Sequence, residues 1–67
     1  MTEKELNQYL GKNVEVICID GQKISGFCST VISALDNDPD PASICVEGPQ
    51  IGVIEILLPD IKSVIVE

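Results

Sequence analysis

Sixty-seven residues leave room for one small domain, and the chain reads as one from 1 to 67. Apolar residues make up 45% and charged residues 22%, which excludes the low-hydrophobicity composition of a disordered chain. Four lysines face eleven carboxylates for a net charge of −7, with no Arg, His or Trp. The usual neutral-pH proton shuttle and the preferred bidentate phosphate partner are therefore both missing.

Thr2 to Leu10 reads as a short helix (2–10). Thr2 caps it, Glu5 completes a capping box, and Leu6, Tyr9 and Leu10 form one apolar stripe. Gly11 stands at the usual stop position. The period then becomes two. A first strand spans about 13–19, with Val14, Val16 and Cys18 alternating with Glu15, Ile17 and Ile19. Asp20-Gly21 marks a hairpin turn whose two central residues both take positive φ. The second strand covers about 22–32, and Gly26 inside it marks a bulge or sharp bend. A polar loop with Asp36, Asn37, Asp38, Pro39, Asp40 and Pro41 follows. Further strands are expected at about 43–47, 51–58 and 61–66, the last two separated by a tight turn at Pro59-Asp60.

The fold expected is mainly β: a short N-terminal helix, then five strongly bent antiparallel strands in a small closed or nearly closed barrel. Both faces of several strands are apolar. Ile17 and Ile19 oppose Val14, Val16 and Cys18. Ile54, Ile56 and Leu58 oppose Ile51, Val53 and Leu57, and Val64 and Val66 oppose Ile61 and Ile65. One small interior cannot hold both sets, so the helix or another subunit must cover the second. The modest core favours the subunit. A homo-oligomer is expected through the last two strands, with Ile54, Ile56, Leu58, Val64 and Val66 at the interface.

No run approaches the roughly 18 apolar residues of a membrane span. Met1-Thr2-Glu3-Lys4-Glu5 has no secretory character, so a cytoplasmic protein without membrane association is expected. Cys18, Cys28 and Cys45 form no C-x-x-C pair and imply neither a disulfide framework nor a zinc site. They read as small buried hydrophobes.

Leu10-Gly11-Lys12-x-Val14-x-Val16-x-x-x-Asp20-Gly21-x-x-Ile24-x-Gly26, preceded by a helix, resembles the first motif of the Sm and Sm-like proteins, a family within the SH3-like barrels. The ending Leu58-Pro59-Asp60-Ile61 is similar to that of another SH3-like barrel, the C-terminal domain of the bacterial ribosome maturation factor. The resemblance implies an SH3-like or Sm-like barrel. It also implies a ring of about five to seven subunits, joined by pairing the fourth strand of one copy with the fifth of the next. The family's RNA-binding positions carry over poorly. Its Asp falls on Ile32 and its Asn on Asp36, with Asn37 beside it, while its Arg-Gly pair falls on Leu58 and Pro59. Asp36 and Asn37 are the RNA-binding candidates that remain. Charge opposes the role, since affinity for nucleic acid rests on cations that displace counterions.

Asp36-x-Asp38-x-Asp40, with Glu47 eleven residues after Asp36, mimics four EF-hand ligand positions. Pro41 occupies the position that needs glycine, and the flanks are strands, so an EF-hand is excluded. A looser cation site at Asp36, Asp38 and Asp40 is a weak candidate beside the reading of a solvated turn. Nothing points to catalysis. Ser25, Ser29 and Thr30 have no His as base, phosphate-binding glycine signatures are absent, and no cofactor is implied. Two readings follow: a non-catalytic homo-oligomeric scaffold that binds an unidentified protein partner, or an Sm-like RNA-binding ring with a divergent pocket.

Overall fold

Thr2 sits in extended conformation and accepts a hydrogen bond from the backbone N–H of Glu5, while the Glu5 carboxylate accepts from the Thr2 backbone. This capping box starts helix α1 (Glu3–Leu6) in the computed structural model, which describes every residue from Met1 to Glu67. The expected helix to Leu10 is not a single α-helix. After Leu6 the chain tightens into a 3-10 turn over Asn7–Tyr9, and Gly11 (φ 80°) turns it away. Tightening breaks the expected stripe. Leu6 is fully buried and Tyr9 packs against the core, but Leu10 is exposed.

Five strands follow: β1 (Asn13–Cys18), β2 (Lys23–Ile32), β3 (Ser43–Gly48), β4 (Gly52–Leu57) and β5 (Ile61–Val66). They form one antiparallel sheet in the order β4-β3-β2-β1-β5. The sheet is unclosed. No backbone ladder joins β4 to β5, which are linked in sequence by a 3-10 turn at Leu58–Asp60.

Between β1 and β2 the Cys18–Gln22 pair closes a three-residue loop, Ile19-Asp20-Gly21. The Cys18 carbonyl accepts from the Gly21 N–H at 2.9 Å, and the Cys18 N–H donates to the Gln22 carbonyl at 2.8 Å. Only Gly21 has positive φ (92°), so the turn is a type I turn with a glycine bulge rather than one with two positive φ values. Asp20 keeps a negative φ and accepts the Gln22 N–H on its carboxylate at 3.0 Å.

Gly26 marks a close approach. A Cβ there would lie 2.6 Å from the Glu47 carbonyl oxygen and 2.7 Å from Val46 Cγ1. The register irregularity of β2 comes slightly later, where Ser29 is skipped between the pairs Cys28↔Val46 and Thr30↔Cys45. Strand β5 carries a second one. Cys18 pairs with Ile61 and Ile17 with Ser63, leaving Lys62 as an extra residue. The expected opposition of Ile61 to Val64 and Val66 is corrected by that bulge. All three lie on the same face of the sheet as Cys18, Val16 and Val14.

That inner face carries the core: Val14, Val16, Cys18, Cys28, Ile44, Val46, Ile56 and Ile61, closed by Leu6 from α1 and by Ala42. Each large side chain buried there contributes about 1.5–3 kcal/mol relative to exposure. Helix α1 therefore covers the inner face and leaves the outer one bare. Glu3 also accepts the Ala34 N–H at 2.8 Å, tying α1 to the loop after β2. No helix is long and apolar enough to cross a membrane.

Candidate interaction surfaces

Strands β4 and β5 each have a neighbour on one side only, so each presents a row of unpaired backbone groups. Which residues supply them follows from antiparallel alternation. The Leu58 N–H donates to the Ala42 carbonyl at 2.8 Å, in register with the β3–β4 ladder. Counting by twos, Ile56, Ile54 and Gly52 bond to β3. Val53, Glu55 and Leu57 turn their N–H and C=O to the free edge. On β5 the Glu67 N–H donates to the Asn13 carbonyl at 2.9 Å, so Ile65 bonds to β1 while Val64 and Val66 face outward.

Beside the β4 edge lies a groove of about 430 Å³ whose floor includes Ile24, Ile54 and Ile56. Asp20 and Asp60 stand on its rim. The Ile19 N–H donates to the Asp60 carbonyl at 2.9 Å, locking the hairpin tip to the 3-10 turn. Cys18 lines the same groove, and burial, with Asp20 and Asp60 nearby, raises its thiol pKa above 9.0.

The residues expected at a subunit interface divide into three groups. Ile56 belongs to the chain's own core; Ile54, Leu58 and Val64 are half-buried against it; Val66 is half exposed at the β5 edge. On the outer face, Phe27, Val53 and Ile65 are exposed.

Asp36, Asp38 and Asp40 are not brought together, and the protein has no group of three or more carboxylate or thiol ligands suited to a metal ion. The loop that holds them is not simply solvated. Asn37 donates from Nδ2 to the Pro41 carbonyl at 2.8 Å and to Glu55 Oε2 at 3.3 Å. The same Glu55 oxygen accepts the Ser43 hydroxyl at 2.6 Å. Ser43 is fully buried beneath this arrangement, and no buried side-chain polar atom lacks a partner. Of the two RNA-binding candidates, Asn37 thus has its amide engaged within the chain, and Asp36 is exposed. Glu55, the anchor of the loop, was not singled out from the sequence. Its role depends on the Cys45↔Glu55 register of β3 and β4, which no local pattern announces.

All three cysteines are free; Cys18 and Cys28 are buried and Cys45 half-buried. Burial raises the Cys28 and Cys45 thiols as well, helped by Cys45 beside Cys28 and by Glu55 beside Cys45. Near neutral pH they are protonated and poorly nucleophilic.

No protein-family model, no characterised protein and no solved structure matches the chain.

Proposed function

We propose that the protein is a non-catalytic homo-oligomeric scaffold, an Sm-like member of the SH3-like barrels. The β4 edge of one copy pairs with the β5 edge of the next, building a cytoplasmic ring that serves as a protein-interaction module. The observation that carries this reading is the strand order β4-β3-β2-β1-β5, with its two free edges. Edge pairing satisfies the free groups of Val53, Glu55 and Leu57 against those of Val64 and Val66 and continues the sheet from copy to copy. It also covers the β4 groove. The half-buried Ile54, Leu58 and Val64 and the exposed Val66 lie where such pairing removes further apolar surface from water. The RNA-ring reading has no comparable support, because Asn37 is internally bonded and the carboxylates on the sheet repel phosphate.

Light scattering on the eluting protein across micromolar concentrations tests the proposal. The expected result is a mass of several protomers that persists on dilution. Val64→Pro removes an outward N–H without touching the β1–β5 ladder and is expected to yield folded monomer. A wild-type monomer throughout that range, or an unchanged oligomer in Val64→Pro and Val66→Pro, would sink the edge-pairing reading.

A further inference from the structure

The outer face of the sheet has a bare half that runs from β2 to Val53 on the β4 edge strand. Phe27 on β2, Glu47 on β3 and Val53 on β4 stand side by side in one cross-strand row, given by the pairs Phe27↔Glu47 and Glu47↔Val53. All three are exposed, Phe27 at 40% and Val53 at 67%. They border an open depression of about 620 Å³ whose lining includes Gly48, Gly52 and Pro49.

The charge on this half has one sign. Glu47 lies within the row, and Glu15, paired with Ser25 on the same face, stands diagonally from Phe27. Lys23, opposite Ile17, is two rows away on this face, and Lys12, whose carbonyl accepts the Cys28 N–H, alternates with Asn13 towards the other face. Side-chain hydrogen bonds occur at the capping box, the hairpin tip, the β2 irregularity, the α1–Ala34 tie and the acidic loop, and none reaches Glu47 or Glu15. An aromatic face beside an unpartnered carboxylate, over an open floor, suits one side chain above others. A guanidinium stacks on the ring, donates to the carboxylate and lays its aliphatic stem along a β-branched neighbour.

We propose that the row Phe27–Glu47–Val53 is a docking site for an arginine presented by an extended segment of a partner protein. The guanidinium lies over Phe27 and donates to the Glu47 carboxylate, its methylenes contact Val53, and Glu15 attracts a second cation on the same segment. Arginine is preferred to lysine, because an ammonium neither stacks on the ring nor bonds in a planar fork. Nucleic acid is repelled by the same carboxylates. The site gives the scaffold reading a partner chemistry, yet it uses side chains on a face and not the strand edges, so it stands or falls separately from oligomerisation.

Amide chemical-shift mapping on ¹⁵N-labelled protein tests it. The probe is a nine-residue peptide with three arginines spaced by glycine and leucine; its counterpart has lysine in their place. Saturable shifts centred on Phe27, Glu47 and Val53 are expected, with the lysine peptide about fivefold weaker or more. Phe27→Ser is expected to weaken binding about tenfold and Glu47→Gln about fivefold. Asp38→Asn removes the same charge from the distant loop and is expected to leave binding unchanged. Val53→Ser provides a second probe of the row if Phe27→Ser perturbs the fold, and it too is expected to weaken binding. Equal weakening by Asp38→Asn and Glu47→Gln overturns the proposal in favour of bulk charge attraction. Equal binding of the two peptides, or shifts centred on β4 and β5 edge amides alone, overturns it as well. Neither result bears on the mass measured by light scattering.

Discussion

The two faces of the sheet are made from alternate residues of the same five strands, yet they follow different rules. On the inner face Val14, Val16, Cys28, Ile44 and Val46 are fully buried, with no charged group among them. On the outer face apolar residues are fewer and are interrupted by carboxylates, as in Phe27–Glu47–Val53 and Ile65–Glu15. One end of that outer face is roofed by the acidic loop through Asn37, Ser43 and Glu55. The other end is open. High apolar content in a small chain therefore need not mean a large core. Here part of it is surface, kept dispersed by charge.

Mutations on the inner face should be costly and those on the open outer face cheap. The largest effect is expected at Gly26, where any side chain meets the β3 backbone and Val46. Gly26→Val should cost about 3 kcal/mol or more by urea denaturation, or prevent folding altogether. A loss below about 1 kcal/mol would mean that β2 and β3 can part freely at this point. Next comes Ile44→Ala, expected to cost about 2–5 kcal/mol for a fully buried side chain. Its outer-face counterpart, Val53→Ala, should stay within about 0.5 kcal/mol in the same experiment. Comparable losses at the two sites would dissolve the contrast between the faces.

A smaller effect separates the roofed and open ends of the outer face. Ser43→Ala removes the hydroxyl that donates to Glu55 at 2.6 Å and should cost about 1 kcal/mol. Hydrogen exchange should quicken in the loop at Asn37 and Asp40, whose N–H groups bond to Ser33 and Asn37, and not near Phe27.

The mildest perturbation is alkaline pH. Burial holds the thiols of Cys18, Cys28 and Cys45 above the ordinary 9.0, so the unfolded chain ionises first. Their contribution to stability is complete below pH 9.0 and is lost as pH rises through the higher folded values. Replacing the three by alanine lowers stability overall but should flatten its fall above that pH, which denaturation midpoints at a series of pH values would reveal.

Elements announced by local chemistry were legible in advance. Thr2 and Glu5 identify the cap, Gly21 the hairpin, and the period-two runs place all five strands within a residue or two. What stayed hidden depends on pairing between distant segments. The skipped residues Ser29 and Lys62 break no alternation that can be seen without the partner strand. Helix α1 stops at Leu6 as the chain tightens towards Gly11, whose N–H donates to the Cys28 carbonyl at 2.8 Å. The residues of the candidate docking row were visible only as isolated letters. Phe27 acquires its neighbours Glu47 and Val53 only through the register of β2, β3 and β4.

The skipped Lys62 carries a consequence for length variation in this chain. A deletion inside a strand ordinarily inverts every side chain beyond it, sending core residues to solvent. Removing Lys62 does the reverse. Ser63 would still meet Ile17, Val64 would still meet Val16, and the ladder from Cys18 to Val14 would lose its interruption. Natural or engineered shortening of the last strand is thus tolerated at Lys62 or Ser63, since either deletion leaves one residue to meet Ile17. It is penalised at Val64, whose place opposite Val16 Ser63 would take. A sequence aligned to this one by spacing alone would be misregistered by one place if it lacked the extra lysine.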